Sequence, residues 1–260
     1  MKKTKDEKLI DDNFKTHSTK IPSLSAGMEV YESDHIYFVD SGLSCDTFNI
    51  IHITDGNLVS LQDIEEAVNH FKKRGYAFCL WIQNGNLNDR ISKWVSRLSL
   101  SKQNEELGMI LDLDKIEKYK SKGVCTIKHV DSPILVRQYA QVVAGNWNPP
   151  DQNIIDYYSL TSNHYLDKNS GSQLFLNFYN GIPVSTLELS SSNKEVVGIY
   201  GFSTTKQYQG LGLGSELLRH ALNYCKDGGY KKVVLQATDE ALGIYNKIGF
   251  REITNYIEFS

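Results

Sequence analysis

The chain has 260 residues, 40% hydrophobic, 23% charged and 11% aromatic, which supports one large α/β unit or two domains of about 100 to 150 residues each and excludes collagen-like, low-complexity and wholly disordered chains. Twenty-eight Lys and Arg against 31 Asp and Glu leave a formal charge of −3, so no global basic field steers the molecule toward nucleic acid or acidic lipid, and neither is expected as a partner. Cys45, Cys79, Cys125 and Cys225 are far apart with no CxxC or CxxH pair, which predicts reduced, buried thiols and no metal site. No run approaches the roughly 18 apolar residues of a membrane span. The opening MKKTKDEKLIDDNFKTHSTK has lysines without a following apolar segment, so a cytoplasmic protein with a frayed polar tail over residues 1–30 is expected.

Residues 48–54 are a β-branched run closed by the turn cluster Asp55-Gly56-Asn57. Ser60 caps the helix that follows, in which Leu61, Ile64, Val68 and Phe71 share one face and Gly75 is the stop. Residues 76–82 read as a buried strand, residues 88–100 as a helix with Ile91, Trp94, Val95 and Leu98 on one side, and residues 109–113 as a strand, so the first half is β-α-β-α-β. The polar stretch 115–123 is the predicted boundary. Beyond it come a strand from Val124, a helix opened by Pro133, a loop over 145–150 holding Pro149 and Pro150, and a helix around Ile154 and Tyr158. Residues 174–179, 182–189 and 196–203 form an antiparallel meander through the Asn180-Gly181 turn. A helix over 215–226, a strand over 232–237, a short helix over 241–248 and a strand over 253–259 complete the order.

The most informative stretch lies between the third meander strand and its helix: Gln209-Gly210-Leu211-Gly212-Leu213-Gly214-Ser215. Its glycines let the backbone take φ > 0 and approach an anion closely, while the first free N–H groups of the helix point at the same spot. Such a stretch is either a phosphate or pyrophosphate cradle or a structural tight turn. No Lys-Ser or Lys-Thr follows the last glycine, which excludes a Walker A loop, and Ser215 breaks GxGxxG, which makes dinucleotide binding the lesser alternative.

The stretch resembles the pyrophosphate signature of the GNAT superfamily of acyl-CoA-dependent N-acetyltransferases, Gln or Arg, two residues, Gly, one residue, then Gly or Ala, met here by Gln209, Gly212 and Gly214. Residues 196–222 look like that superfamily's fourth strand, loop and third helix, and ALGIYNKIGF, residues 241–250, looks like its later helix with a YxKxGF element. The element order over 123–260 is similar throughout; Lys206 departs from the proline that relatives often carry before the loop. The resemblance implies an α/β (α+β) fold with a mixed, mostly antiparallel sheet flanked by helices. It implies acetyl-CoA as acyl donor and direct transfer to an amine on a small molecule or peptide. Backbone groups of Phe202, Ser203 and Thr204, at a splayed strand end, would meet the pantetheine arm, and Gln209, Gly210, Leu211, Gly212, Leu213, Gly214 and Ser215 would hold the pyrophosphate.

Tyr245 matches the superfamily's frequent general acid. A phenol of ordinary pKa near ~10 stays protonated at neutral pH and donates to a thiolate whose acid lies near ~8.5; packing of the short helix is the alternative role. Glu188 and Glu195 are the candidates for the base, each also readable as a solvated strand residue. His129, His164 and His220 lack a patterned partner, and Trp147 falls where the superfamily often lines its acceptor pocket.

In residues 31–120 the turn Asp55-Gly56-Asn57 supplies only one glycine before its helix, and this segment is not expected to hold CoA. Their order nonetheless looks like the trailing part of a GNAT unit. The chain therefore reads as a tail over 1–30, a degenerate GNAT-like domain over 31–120 and an acetyltransferase domain over 123–260. Completing the sheet, walling the acceptor pocket and forming a homodimer are the roles open to the first half. The expected function is acetyl-CoA-dependent N-acetyl transfer; the alternative is a non-catalytic CoA-binding sensor or interaction module.

Overall fold

The Thr4 hydroxyl accepts from the Glu7 N–H and the Glu7 carboxylate accepts from the Thr4 N–H, which closes a capping box at the start of a long helix. In the computed structural model, which describes residues 3–260, this helix α1 (Lys5–Leu24) replaces most of the expected frayed tail. Ile10, Phe14 and Ile21 are buried along one side of it. The rest of the buried face is polar, Asp11, Asn13, Ser18 and Thr19, which is why composition alone hid it. Ser18 and Thr19 donate to carbonyls one turn back, whereas Asn13 and Asp11 reach across the fold: Asn13 Nδ2 donates to the Ser190 carbonyl at 3.0 Å, Tyr200 Oη donates to Asn13 Oδ1 at 2.7 Å, and Asp11 pairs with His52 at 2.9 Å as well as with Lys3 at 2.6 Å.

Strands β1 (Glu29–Glu32) and β2 (Ile36–Asp40) form a hairpin that was not expected, followed by β3 (Ile50–Ile53), α2 (Leu61–Arg74), β4 (Cys79–Gln83), α3 (Asp89–Arg97) and β5 (Lys102–Asp112). The second half runs β6 (Thr126–His129), α4 (Pro133–Ala144), α5 (Gln152–Leu160), α6 (Ser162–Leu166), β7 (Ser172–Tyr179), β8 (Ile182–Ser191), β9 (Val196–Thr204), α7 (Leu213–Asp227), β10 (Lys232–Ala237), α8 (Leu242–Ile248) and β11 (Arg251–Phe259). All eleven strands join one sheet in the order β1-β2-β3-β4-β11-β5-β10-β9-β8-β7-β6. The pairs are antiparallel except β3–β4 and β9–β10, each joined by a crossover helix, α2 or α7.

The order contains an exchange. β5, the last strand of the first half, lies against β10 of the second, and β11, the last strand of the second half, lies against β4 of the first; β5 and β11 pair with each other between them. β3-α2-β4-α3-β5 thus repeats β9-α7-β10-α8-β11 about the centre of the sheet. Strand alternation sorts the two faces. Ile51 and Ile53 pack with α2, and Leu187 and Leu189 with α7, while His52 faces α1 and Tyr200 meets Asn13 on it. A Cβ on Gly198 would stand 1.9 Å from Asn13 Oδ1, so glycine there admits the helix. The predicted boundary at 115–123 is docked on α7, where Tyr119 and Asn223 exchange two hydrogen bonds and Glu216 accepts from the Lys122 N–H. Among the described residues no helix is long and apolar enough to cross a membrane.

Burial raises the Asp11 carboxyl, but the charges and hydrogen bonds of His52 and Lys3 outweigh it and hold its pKa at about 2. Its contribution to stability is therefore complete above the ordinary value of 3.8 and is lost as pH falls through 2. Asp11→Ala, which strands His52 without its partner, is expected to lower the unfolding free energy by about 3 kcal/mol in urea titration at pH 7; a loss under about 1 kcal/mol would contradict the bridging role given to this pair.

Candidate active site

The parallel pair β9–β10 holds together over three residue pairs only, Val196 to Gly198 against Lys232 to Val234. Beyond them β9 slips register against β8: Tyr200 lies opposite Glu188 and Ser203 opposite Thr186, so one extra residue bulges from β9. Gly201 takes φ 52° there, and its carbonyl accepts from Thr186 Oγ1 at 2.8 Å. The two strands diverge, and a cavity of about 510 Å³ fills the gap. The expected splayed strand end is thus present, with Phe202 and Ser203 on the cavity wall. Thr204 sits past it, its hydroxyl 2.9 Å from Ser185 Oγ and its carbonyl accepting from Gln209 Nε2 at 3.0 Å.

The glycine loop follows directly. Gly212 is the N-cap of α7 at φ 79° and Gly210 stands at φ 77°, both left-handed and both with nothing within 4 Å of a Cβ position. Leu211 projects outward at 56% exposure whereas Leu213 is buried. The Glu216 N–H closes on the Gly212 carbonyl at 3.0 Å, which leaves the amides of Leu213, Gly214 and Ser215 without intrahelical acceptors and aimed past the helix end. Gly214 lets the helix start close on β9, since a Cβ there would come within 2.8 Å of Thr204 Oγ1. Open amides, an outward-facing positive helix end and no side chain in the way fit an anion.

The corresponding turn of the first half is closed. The Gly56 N–H donates to Asn86 Oδ1, a Cβ on Gly56 would fall 1.9 Å from the Asn86 carbonyl oxygen, and Asn88 and Arg90 donate to the Gly56 carbonyl. Asp55 accepts from the Asn57 and Leu58 amides, and Ser60 with Asp63 forms a complete capping box on α2. The amides of Gly56, Asn57, Leu58, Ser60 and Asp63 are thus already bonded.

Tyr245 on α8 is buried and lines the main cavity together with Glu106 of β5, Glu258 of β11, Asp46 and His17. Trp147 is on the same wall. Burial, reinforced by the charge of Glu258, pushes the Glu106 carboxyl up to about 7. Burial and then Asp46 raise Glu258, and burial and then Glu106 raise the Tyr245 phenol, which stays protonated at neutral pH. Glu188, 1% exposed, opens instead on an adjoining cavity of about 100 Å³, reached past His17, Tyr200 and Gly201, which border both spaces. Tyr245 and Glu188 are therefore not brought into one chamber. Glu195 is exposed, and neither it nor His129, His164 or His220 lines either cavity.

Sequence reasoning missed His17, Asp46, Glu106 and Glu258. His17 had a legible signal, the Thr4–Glu7 capping box followed by Ile10, Phe14, His17 and Ile21 on one helical stripe. Glu106 had none, because it lies in the polar start of β5, whose entry into the sheet is settled by β11 from the far end of the chain.

Residues 151–260 match the family model of the acetyltransferase (GNAT) domain. Solved structures with a similar fold extend the likeness over nearly the whole chain. A GCN5-related N-acetyltransferase from Kribbella flavida aligns over 96% of this chain and 95% of its own, with a TM-score of 0.70 and 13% identity. One from Sphaerobacter thermophilus aligns over 87% and 80%, with a TM-score of 0.60 and 12% identity. A tandem GNAT protein from the clavulanic acid biosynthesis pathway aligns over 90% and 83%, with a TM-score of 0.59 and 9% identity.

Because the folded Glu106 carboxyl lies above its ordinary 4.5, folding is penalised increasingly as pH rises from 4.5 toward 7 and fully above 7. Glu106→Gln removes that penalty, so its effect on stability is expected to be more favourable at pH 8 than at pH 4 by about 2 kcal/mol in paired denaturant titrations. A difference near zero would show that Glu106 is solvated.

Proposed function

We propose that this protein transfers an acetyl group from acetyl-CoA to an amine, with one active site in the second half. What carries the reading is the continuity of three features: the open amides from Gly210 to Ser215, the bare end of β9 beside them, and a cavity at that strand's end holding a protonated phenol and a carboxyl with a pKa of about 7. The amides and the α7 dipole hold the diphosphate, with Gln209 fixing the loop to β9 through Thr204. Phe202, Ser203 and Thr204 offer backbone groups, unpaired with β10, to the pantetheine amides.

Acetyl-CoA supplies an activated acyl carbon, and the chain supplies position and proton transfer. Glu106 takes a proton from the incoming ammonium, and the freed amine forms its C–N bond at the thioester carbonyl carbon as the C–S bond breaks. Tyr245 gives its phenolic proton to the departing sulfur and regains one from the acylated nitrogen, so the net products are amide, thiol and one proton released through Glu106. We assign the base to Glu106 rather than Glu188 because Glu106 shares the chamber with Tyr245. The first half then serves as a wall of the acceptor chamber. The carboxylates Asp46, Glu106 and Glu258 around the mouth favour a cationic acceptor.

Tyr245→Phe is expected to lower kcat about 100-fold in a thiol-release assay, with acetyl-CoA affinity by calorimetry changed by less than about 2-fold. Gly212→Val, which strains a left-handed position and puts methyls over the open amides, is expected to weaken acetyl-CoA binding by at least about 10-fold. Binding of acetyl-CoA without thiol release in the presence of any amine would overturn the enzymatic reading in favour of a CoA-binding module. Glu106→Gln is expected to remove the limb of the kcat/KM profile centred near pH 7; a limb that survives would assign the base elsewhere.

A further inference from the structure

We infer that the adjoining cavity is a second cation subsite, and that the acceptor is a small aliphatic diamine or longer polyamine whose far ammonium seats against Glu188 while its near amine is acetylated. This rests on the reading above and names the acceptor class within it.

The observation is a buried carboxylate with no adequate partner. Glu188 sits in the middle of β8, 1% exposed, and its Oε1 makes no hydrogen bond. The nearest cationic groups fall short. His17 Nε2 is within ion-pair distance at 3.5 Å but makes no short hydrogen bond, its ring being stacked on Tyr200 at 3.5 Å between centroids, and the ammonium of half-buried Lys20 donates to the Ser191 carbonyl at 2.9 Å. A carboxylate removed from water to this degree requires a charge partner. The walls around it are aromatic. Tyr157, Tyr158, Tyr165 and Tyr200 line the cavity, with Tyr157 and Tyr158 edge to face at 5.6 Å and Tyr158 and Tyr165 tilted at 5.3 Å. A carboxylate set among tyrosine rings is the chemistry that binds an alkylammonium, through a charge-assisted bond and the attraction of a cation to aromatic rings.

The dimensions and the connection agree. About 100 Å³ corresponds to about three water volumes, which suits an ammonium on a short methylene stem and excludes an amino acid or a peptide chain. The subsite opens past His17, Tyr200 and Gly201 into the chamber that holds Tyr245 and Glu106. An acceptor that enters both spaces therefore carries cationic groups at two ends joined by apolar links, and Ile50 and Val143 on the shared wall match those links. An acceptor with a single amine would leave Glu188 unpaired.

The test compares diaminobutane with butylamine, and diaminopropane through diaminohexane with one another, at saturating acetyl-CoA. The wild type is expected to favour diaminobutane over butylamine in kcat/KM by at least about 10-fold, carried in KM, and this preference is expected to collapse in Glu188→Gln. Tyr165→Leu, which leaves the carboxylate in place, is expected to reduce it several-fold. Equal kcat/KM for the two amines in the wild type, or a preference retained in folded Glu188→Gln and Tyr165→Leu, would overturn the subsite. Should no amine be acetylated, the enzymatic reading fails separately, and calorimetry with diaminobutane alone still decides the subsite: heat of binding abolished by Glu188→Gln upholds it, and no heat with the wild type overturns it.

Discussion

The pairing of β5 with β11 is the contact on which both halves depend. Each is the last strand of its own half, and each is lodged against the penultimate strand of the other, so neither half closes its sheet without the other's chain. The fit is tight: a Cβ on Gly108 of β5 would come within 2.8 Å of Thr254 on β11. The same exchange brings Glu106 of the first half to the open end of the β9–β10 gap, beside Tyr245 and Glu258 of the second.

The two repeats show how little separates a cradle from a plug. Both have a strand, a turn with glycine and a helix start. In the second, left-handed Gly210 and Gly212 and the absence of a side-chain cap leave amides facing outward. In the first, Asp55, Ser60 and Asn86 bond the same kind of amides, and Arg90 closes over the turn. Capping residues stabilise the helix at the cost of the anion site. The first half's contribution therefore passes through its strands and through α1, which lays Asn13, Phe14 and His17 across β9 and the cavity.

Local signals in the sequence were enough for most of the second half. The meander turn at Asn180-Gly181, the apolar stripe of α7 and the glycine loop are all set by neighbours within a few residues, and α2 with its Ser60 cap and Gly75 stop was equally legible. What escaped was set at long range. α1 reads as charged and is buried in part through Asp11 and Asn13, whose partners His52, Ser190 and Tyr256 lie about 40 to 245 positions away. The start of β5 is polar because Lys102, Gln103 and Asn104 are exposed, so pattern alone placed its beginning at residue 109 instead of Lys102. Glu188 was legible as a carboxylate on β8, but its chamber is built largely from α1, α5 and α6, and no spacing along the chain reveals that it shares a cavity with Tyr157, Tyr158 and Tyr165 and not with Tyr245.

The most direct measurement is a crystal structure of the full chain soaked with acetyl-CoA. The diphosphate is predicted to lie on the amides of residues 210–215 with the thioester carbonyl between Tyr245 and Glu106. A diphosphate seated elsewhere, or a thioester remote from both side chains, would contradict the account.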